Sequence, residues 1–189
     1  MCAQEAHAQL GLDVVVFMPV GRAPHREIQG DPGAEARFTM CEYATSADAR
    51  FAVSRHEVEK EGLAYTVETL QAVRERRPDD ELFLILGGDQ AMALPSWHDP
   101  SGVLSLAAVA AVERDEHRRE QIAERVRSIC GDDDRVVFFT MPRVDVSSTL
   151  VRARVAAGQP IRYLVPDKVA NYIGSQSLYS STAPAGVGA

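Results

Sequence analysis

The sequence predicts an α/β fold in which helices cover both faces of a mostly parallel sheet. Three observations carry this. Short apolar runs recur at Val14-Val15-Val16-Phe17-Met18, Leu82-Phe83-Leu84-Ile85-Leu86 and Val136-Val137-Phe138-Phe139; strands buried on both faces read as continuous apolar runs of this kind. Segments with helical apolar spacing separate them, the pattern of strand–helix–strand crossovers. The runs lead into loops containing Gly, Pro or hydroxyl residues, and ligands of such sheets bind outside the carboxyl ends of the strands.

Taken in order, residues 2–10 read as the later part of a helix stopped by Gly11. The strand at Val14-Val15-Val16-Phe17-Met18 is expected to be buried on both faces and is halted by Pro19; Val20-Gly21-Arg22-Ala23-Pro24-His25-Arg26 is the loop leaving it. Gly30-Asp31-Pro32-Gly33 is a second breaker cluster, and residues 34–47 follow as a helix with Phe38, Cys41 and Ala44 on one face. Phe51-Ala52-Val53-Ser54 is a short strand, followed by a charged segment and Gly62. Tyr65-Thr66 precedes a helix striped by Val67, Leu70 and Val73 and closed by Pro78. The strand ending at Leu86 runs into Gly87-Gly88-Asp89, then a short helix, a loop at Pro95-Ser96-Trp97-His98 and a small helix near residues 100–106. Residues 107–112 read as a strand, 116–129 as an amphipathic helix, 131–134 as an acidic turn and 136–139 as the last strand. Val146-Ser147-Ser148-Thr149-Leu150-Val151-Arg152 opens a helix that meets Gly158, and another helix spans about residues 167–173. No repeat or linker marks a second domain, so residues 1–179 are taken as one domain and 180–189 as a disordered tail.

Composition narrows the function. A length of 189 residues, 46% hydrophobic and 25% charged, is that of a globular domain able to bury a substantial core. A net charge of -7 argues against a general nucleic-acid or anionic-membrane surface, but leaves room for an anionic small substrate where basic residues gather locally. Cys2, Cys41 and Cys130 are odd in number and widely spaced, which suits reduced cytoplasmic thiols rather than a disulfide framework or a zinc site. No apolar run approaches the roughly 18 residues of a membrane span, and the N-terminus lacks a secretory pattern. The five histidines show no metal-ligand spacing, and neither a nucleophile elbow nor a Walker loop is present.

Several residues remain as candidates. Ser147, Ser148 and Thr149 stand where hydroxyls cap a helix, and the amides of the same turn favour an anion, with Arg152 one turn in as a charged fork. An ordinary capped helix is the plain alternative. Arg22, His25 and Arg26 gather positive charge on one loop, as a phosphate clamp or as solvated charges. At Gly87-Gly88-Asp89, glycine lets backbone approach a ligand and the carboxylate can accept from a ribose hydroxyl, or the segment is a turn. Trp97, the single tryptophan, either fills core or stacks on a flat ring. Thr66 beside Tyr65 either caps a helix or touches a ligand. The loops at Gly21, Gly87 and Ser147 are expected to converge on one crevice.

Together and in order, these segments resemble the bacterial nicotinate-nucleotide adenylyltransferases of the nucleotidylyltransferase superfamily. The resemblance rests on Phe17-Met18-Pro19-Val20-Gly21-Arg22-Ala23-Pro24-His25-Arg26, Ala64-Tyr65-Thr66-Val67-Glu68-Thr69-Leu70, Leu86-Gly87-Gly88-Asp89 with Leu94-Pro95-Ser96-Trp97, the serine–threonine segment, and Arg162-Tyr163-Leu164-Val165-Pro166 with Tyr172-Ile173 and Leu178-Tyr179. It implies a Rossmann-like sheet and transfer of AMP from ATP to nicotinate mononucleotide, with Mg²⁺, giving deamido-NAD and pyrophosphate. It further implies that Ser147, Ser148, Thr149 and Arg152 bind ATP phosphates and that Gly87 and Asp89 lie along the nucleotide. Tyr65, Thr66 and Trp97 would surround the nicotinate ring, and Arg26 with Arg114 would stand near the mononucleotide phosphate.

Two departures qualify the resemblance. The family opens with a strand and a Gly-x-Phe-x-Pro-x-His-x-Gly-His loop that do not occur in these residues, so a first strand is expected to be missing from the sheet; either the start lies upstream of Met1 or the chain is a truncated, inactive product. Asp115-Glu116 follows Arg114 where the family usually has Pro-Gly, which unsettles the role of Arg114. A sister enzyme acting on phosphopantetheine and a non-catalytic nucleotide-binding remnant are the alternative readings; Tyr65-Thr66 and Ser96-Trp97, which suit a pyridine ring, weigh against the first.

Overall fold

A computed structural model describes residues 1–22 and 30–180. Its strands are all parallel and lie in two sheets. β1 (Val15–Phe17) pairs with β2 (Phe51–Val53), while β3 (Phe83–Gly87), β4 (Ala108–Val112) and β5 (Val136–Phe139) lie side by side in that order. The helices among the described residues are α1 (Cys2–Leu10), α2 (Ala34–Thr45), α3 (Thr66–Arg76), α4 (Gly88–Ala93), α5 (Pro100–Leu106), α6 (Glu116–Cys130), α7 (Ser148–Ala156) and α8 (Asp167–Ser175). The expected α/β fold, with parallel sheets flanked by helices, is present.

Uniformly apolar strands sort their side chains by parity, because successive residues point to opposite faces of a sheet. Leu84, Leu86, Val109, Ala111, Val136 and Phe138 join one core with Ile122 and Val126 of α6 and Val103 and Leu104 of α5. Phe83, Ile85, Ala110, Val112, Val137 and Phe139 turn the other way, where Ala6, Cys2 and Leu10 of α1 cover them. Ala6 is fully buried. α1 ends at Gly11, whose φ of 65° is left-handed and open to glycine at little cost. The Gln9 side chain then mimics a strand partner for Thr140, donating to its carbonyl at 2.7 Å and accepting its amide at 3.1 Å.

Among the described residues each sheet is open along both of its outer strands. Among the described residues β1 pairs only with β2, and β3 pairs only with β4; the outer edges of β1 and β3 therefore carry backbone groups without ladder partners. The expectation that β1 is buried on both faces is corrected here: Val14 and Val16 are each 48% exposed. A strand is buried on both faces only when neighbouring strands and a covering helix layer extend past it, and a two-stranded ribbon has too little surface for that.

Val20 and Gly21, soon after β1, are held tightly. A Cβ on Gly21 would lie 2.0 Å from the Glu57 carbonyl oxygen, so only glycine fits there. Arg37 of α2 donates to the carbonyls of Val20 and, at 3.0 Å, Gly21. α7 and α8 form a separate core around Val151, Ile161, Val169 and Ile173, and Tyr43 meets Tyr172 edge-on at 5.6 Å, joining α2 to α8.

Candidate active site

Gly87 and Gly88 have different jobs. Gly87 ends β3 in register with Val112 of β4, and a Cβ on it would meet no protein atom within 4 Å. Its φ of -71° is open to any residue. Neither the backbone nor a protein neighbour requires glycine there, so the open space suits close approach of a ligand. Gly88 is buried, and a Cβ on it would lie 2.2 Å from Oε2 of Glu113. Its missing side chain makes room for that carboxylate.

Glu113 follows β4 and is held on every side. Oε1 accepts from the amides of Arg114 at 2.8 Å and Asp115 at 3.1 Å, and Oε2 pairs with Arg118 Nε at 3.2 Å. Arg119 donates to the Glu113 carbonyl from Nε at 3.0 Å and Nη2 at 2.8 Å, and its guanidinium lies over Phe138. Asp115 starts α6 by accepting the Arg118 amide at 2.8 Å, as an N-cap should. This accounts for Asp115 after Arg114, and Glu116 pairs with Arg119 at 2.9 Å. Capping places Arg118 in the first turn, where Nη2 reaches Asp89 Oδ1 at 2.6 Å. The hydrogen bond to Asp89, and then the charge of Glu113, raise the Arg118 pKa above its ordinary value.

Tyr65 is the N-cap residue of α3 and makes no side-chain capping bond; Thr66 is the first helical residue, so it does not cap. The Tyr65 ring faces His98, with ring centroids 4.3 Å apart. Trp97 and Tyr65 are both half-buried and pack against the core beneath β3 and β4. Trp97 therefore has a packing role whatever else it does.

Ser147 is the N-cap of α7, accepting the Leu150 amide at 3.1 Å. A helix leaves its first amides without intrahelical acceptors, and those of Ser148 and Thr149 have no acceptor among the described residues. Arg152 Nη2 lies 3.4 Å from Thr149 Oγ1, one turn along the exposed side of the helix. Arg114 is exposed and donates to the Met141 carbonyl, which ties the end of β4 to the segment leading into α7. Arg26 lies outside the described residues.

The geometry thus joins Asp89 to the carboxyl end of β4 and sets Tyr65 beside His98. No hydrogen bond or ion pair among the described residues joins α7 directly to Asp89. Two recesses, of about 530 Å³ at Thr45 and Asp48 and about 410 Å³ at Met40 and Val169, lie away from all of these residues. Glu113, Arg118 and His98 are the members that sequence reasoning missed. The first two carry no motif; they meet Gly88 and Asp89 only through the parallel register of β3 and β4.

Comparison with known proteins places this arrangement in a class. Residues 1–154 match the cytidylyltransferase-like family, and the chain is a member of that family of nucleotidyltransferases. A "Probable nicotinate-nucleotide adenylyltransferase" of Tropheryma whipplei (strain Twist) is 38% identical over 179 residues, covering 95% of this chain and 90% of the relative. Another of the same name from Paenarthrobacter aurescens (strain TC1) is 38% identical over 185 residues, covering 98% and 85%. Within the class, the chain belongs to the nicotinate-nucleotide adenylyltransferase family. The solved structure of Plasmodium falciparum nicotinic acid mononucleotide adenylyltransferase complexed with NaAD shares the fold, with a TM-score of 0.66 at 14% identity over 89% of this chain and 83% of that one.

Proposed function

We propose that this chain carries the activity its relatives are named for, in NAD biosynthesis: a phosphate oxygen of nicotinate mononucleotide attacks the α-phosphorus of ATP. The new P–O bond forms as the bond from that phosphorus to the pyrophosphate oxygen breaks, and pyrophosphate leaves with the electron pair. Deamido-NAD is the product. Near full-length similarity to proteins named nicotinate-nucleotide adenylyltransferase carries the reading.

Such a transfer asks little covalent help of the protein; it needs alignment and stabilisation of phosphate charge. The Ser148 and Thr149 amides, the hydroxyls of Ser147 and Thr149, and Arg152 supply donors for the ATP phosphates. Gly87 allows the nucleotide to lie against β3, and Asp89 accepts from its ribose. Tyr65, Thr66 and Trp97 surround the nicotinate ring, and Arg26, with Arg114, serves the mononucleotide phosphate. Mg²⁺ enters with ATP, as part of the nucleotide substrate. Residues 1–179 act as one domain. No described helix is long and apolar enough to cross a membrane, and three free thiols suit the cytoplasm.

The test is pyrophosphate release from ATP and nicotinate mononucleotide, using the chain extended by the residues encoded immediately upstream of Met1. Product is expected with this acceptor and not with phosphopantetheine. No product from a folded, extended protein overturns the proposal.

A further inference from the structure

We propose that Arg118 is a positioning residue for nucleotide binding: it bridges Glu113 and Asp89 so that the Asp89 carboxylate is already oriented to accept from a ribose hydroxyl. The proposal rests on the reading of Asp89 as a nucleotide contact. The Asp89 side chain is 89% exposed. Left alone, it would have to be immobilised when a ligand binds, at a cost in rotamer freedom. Arg118 removes that cost beforehand. Its Nη2 holds Oδ1 at 2.6 Å, while Oδ2 has no partner among the described residues and stays available.

The bridge is anchored from behind. Glu113 is only 14% exposed and fixed by two backbone amides, so it grips Arg118 Nε from a settled position. Gly88 leaves the space that the Glu113 carboxylate fills. Capping by Asp115 brings Arg118 to the height of Asp89. A planar guanidinium can hold two carboxylates at once, whereas an ammonium is a point charge without the fork. Because the Arg118–Asp89 pair is solvent-exposed, its removal should hardly change folding stability, so its effect belongs in binding.

The test measures dissociation constants of the 189-residue chain for MgATP and for Mg-2′,3′-dideoxy-ATP, with thermal unfolding as the control for fold. Arg118→Gln is expected to weaken MgATP binding by about 3- to 10-fold, the scale of one side chain's ordering cost, and to shrink the preference for ATP over the dideoxy analogue. Arg118→Lys should keep the loss, and it also replaces Arg118→Gln if that variant unfolds. In an Asp89→Ala background, either change at position 118 should cost nothing further. A preference unchanged in Arg118→Gln but abolished in Asp89→Ala overturns the positioning role and leaves the Asp89 reading standing. Full recovery by lysine, or a loss that persists without Asp89, also overturns it. An unaltered preference for ATP over the dideoxy analogue in Asp89→Ala overturns the reading of Asp89 itself.

Discussion

The space a side chain on Gly88 would fill is occupied by the carboxylate of Glu113, whose Oε2 would lie 2.2 Å from a Cβ built there. A carboxylate at the end of a flexible side chain could ordinarily swing aside. Here Oε1 is held by the amides of Arg114 and Asp115, and Oε2 by Arg118.

Gly88→Ala must therefore break those bonds or shift β3 against β4. The expected loss of stability is about 1–3 kcal/mol, the usual scale for overpacking. Gly87→Ala, with open space around it, should leave stability nearly unchanged and weaken nucleotide binding. Urea midpoints and MgATP titrations of the two variants check this; equal stability losses would refute the division of labour between the two glycines.

Among the described residues the outer edges of β1 and β3 have no strand partner, which makes a second prediction. A chain extended upstream by a strand and the glycine–histidine loop should turn over at least about 10²-fold faster than the 189 residues alone, the scale on which preorganised charge stabilisation acts. It should also protect β1 amides from hydrogen exchange. Equal turnover by both chains would refute this prediction.

Trp97 is the single tryptophan, so intrinsic emission reports on one site. Nicotinate mononucleotide is expected to quench it, and Trp97→Phe to keep the packing against the core while weakening mononucleotide binding several-fold. Emission that stays constant while calorimetry shows the mononucleotide binding would leave Trp97 as core and nothing more.

Asp48 gives a pH-dependent prediction. Hydrogen bonds from the Arg50 side chain hold its carboxyl well below the ordinary 3.8, at about 2. The folded value is depressed, so the pair's contribution is complete above pH 3.8 and fades as pH falls from there through about 2. NMR titration should give an Asp48 midpoint near 2, rising toward the ordinary value in Arg50→Gln; a midpoint indifferent to Arg50 would count against the pairing.

Much of the architecture was legible residue by residue. Continuous apolar runs marked β3 and β5, Gly11 and Pro78 marked helix ends, and Ser147 marked the start of α7, because these signals are local. The burial of β1 was misjudged from Val14-Val15-Val16: an apolar run shows what a strand prefers to face, but only neighbouring strands and helices decide whether that face is covered. Of the two readings of Thr66, cap or ligand contact, the structure removes the first, because the N-cap of α3 is Tyr65 and Thr66 is already helical.

By itself the sequence determined the α/β order of elements and the capped helix that starts at Ser147-Ser148-Thr149, which rest on spacing within short stretches, and its segments, taken in order along the chain, carried the resemblance to the family. Tertiary structure alone decided that Gly88 yields its space to Glu113, that Arg118 on a distant helix holds Asp89, and that β3 lies beside β4 with Gly87 opposite Val112. Those facts depend on parallel register between strands separated by a crossover, a relationship that local residue patterns do not encode.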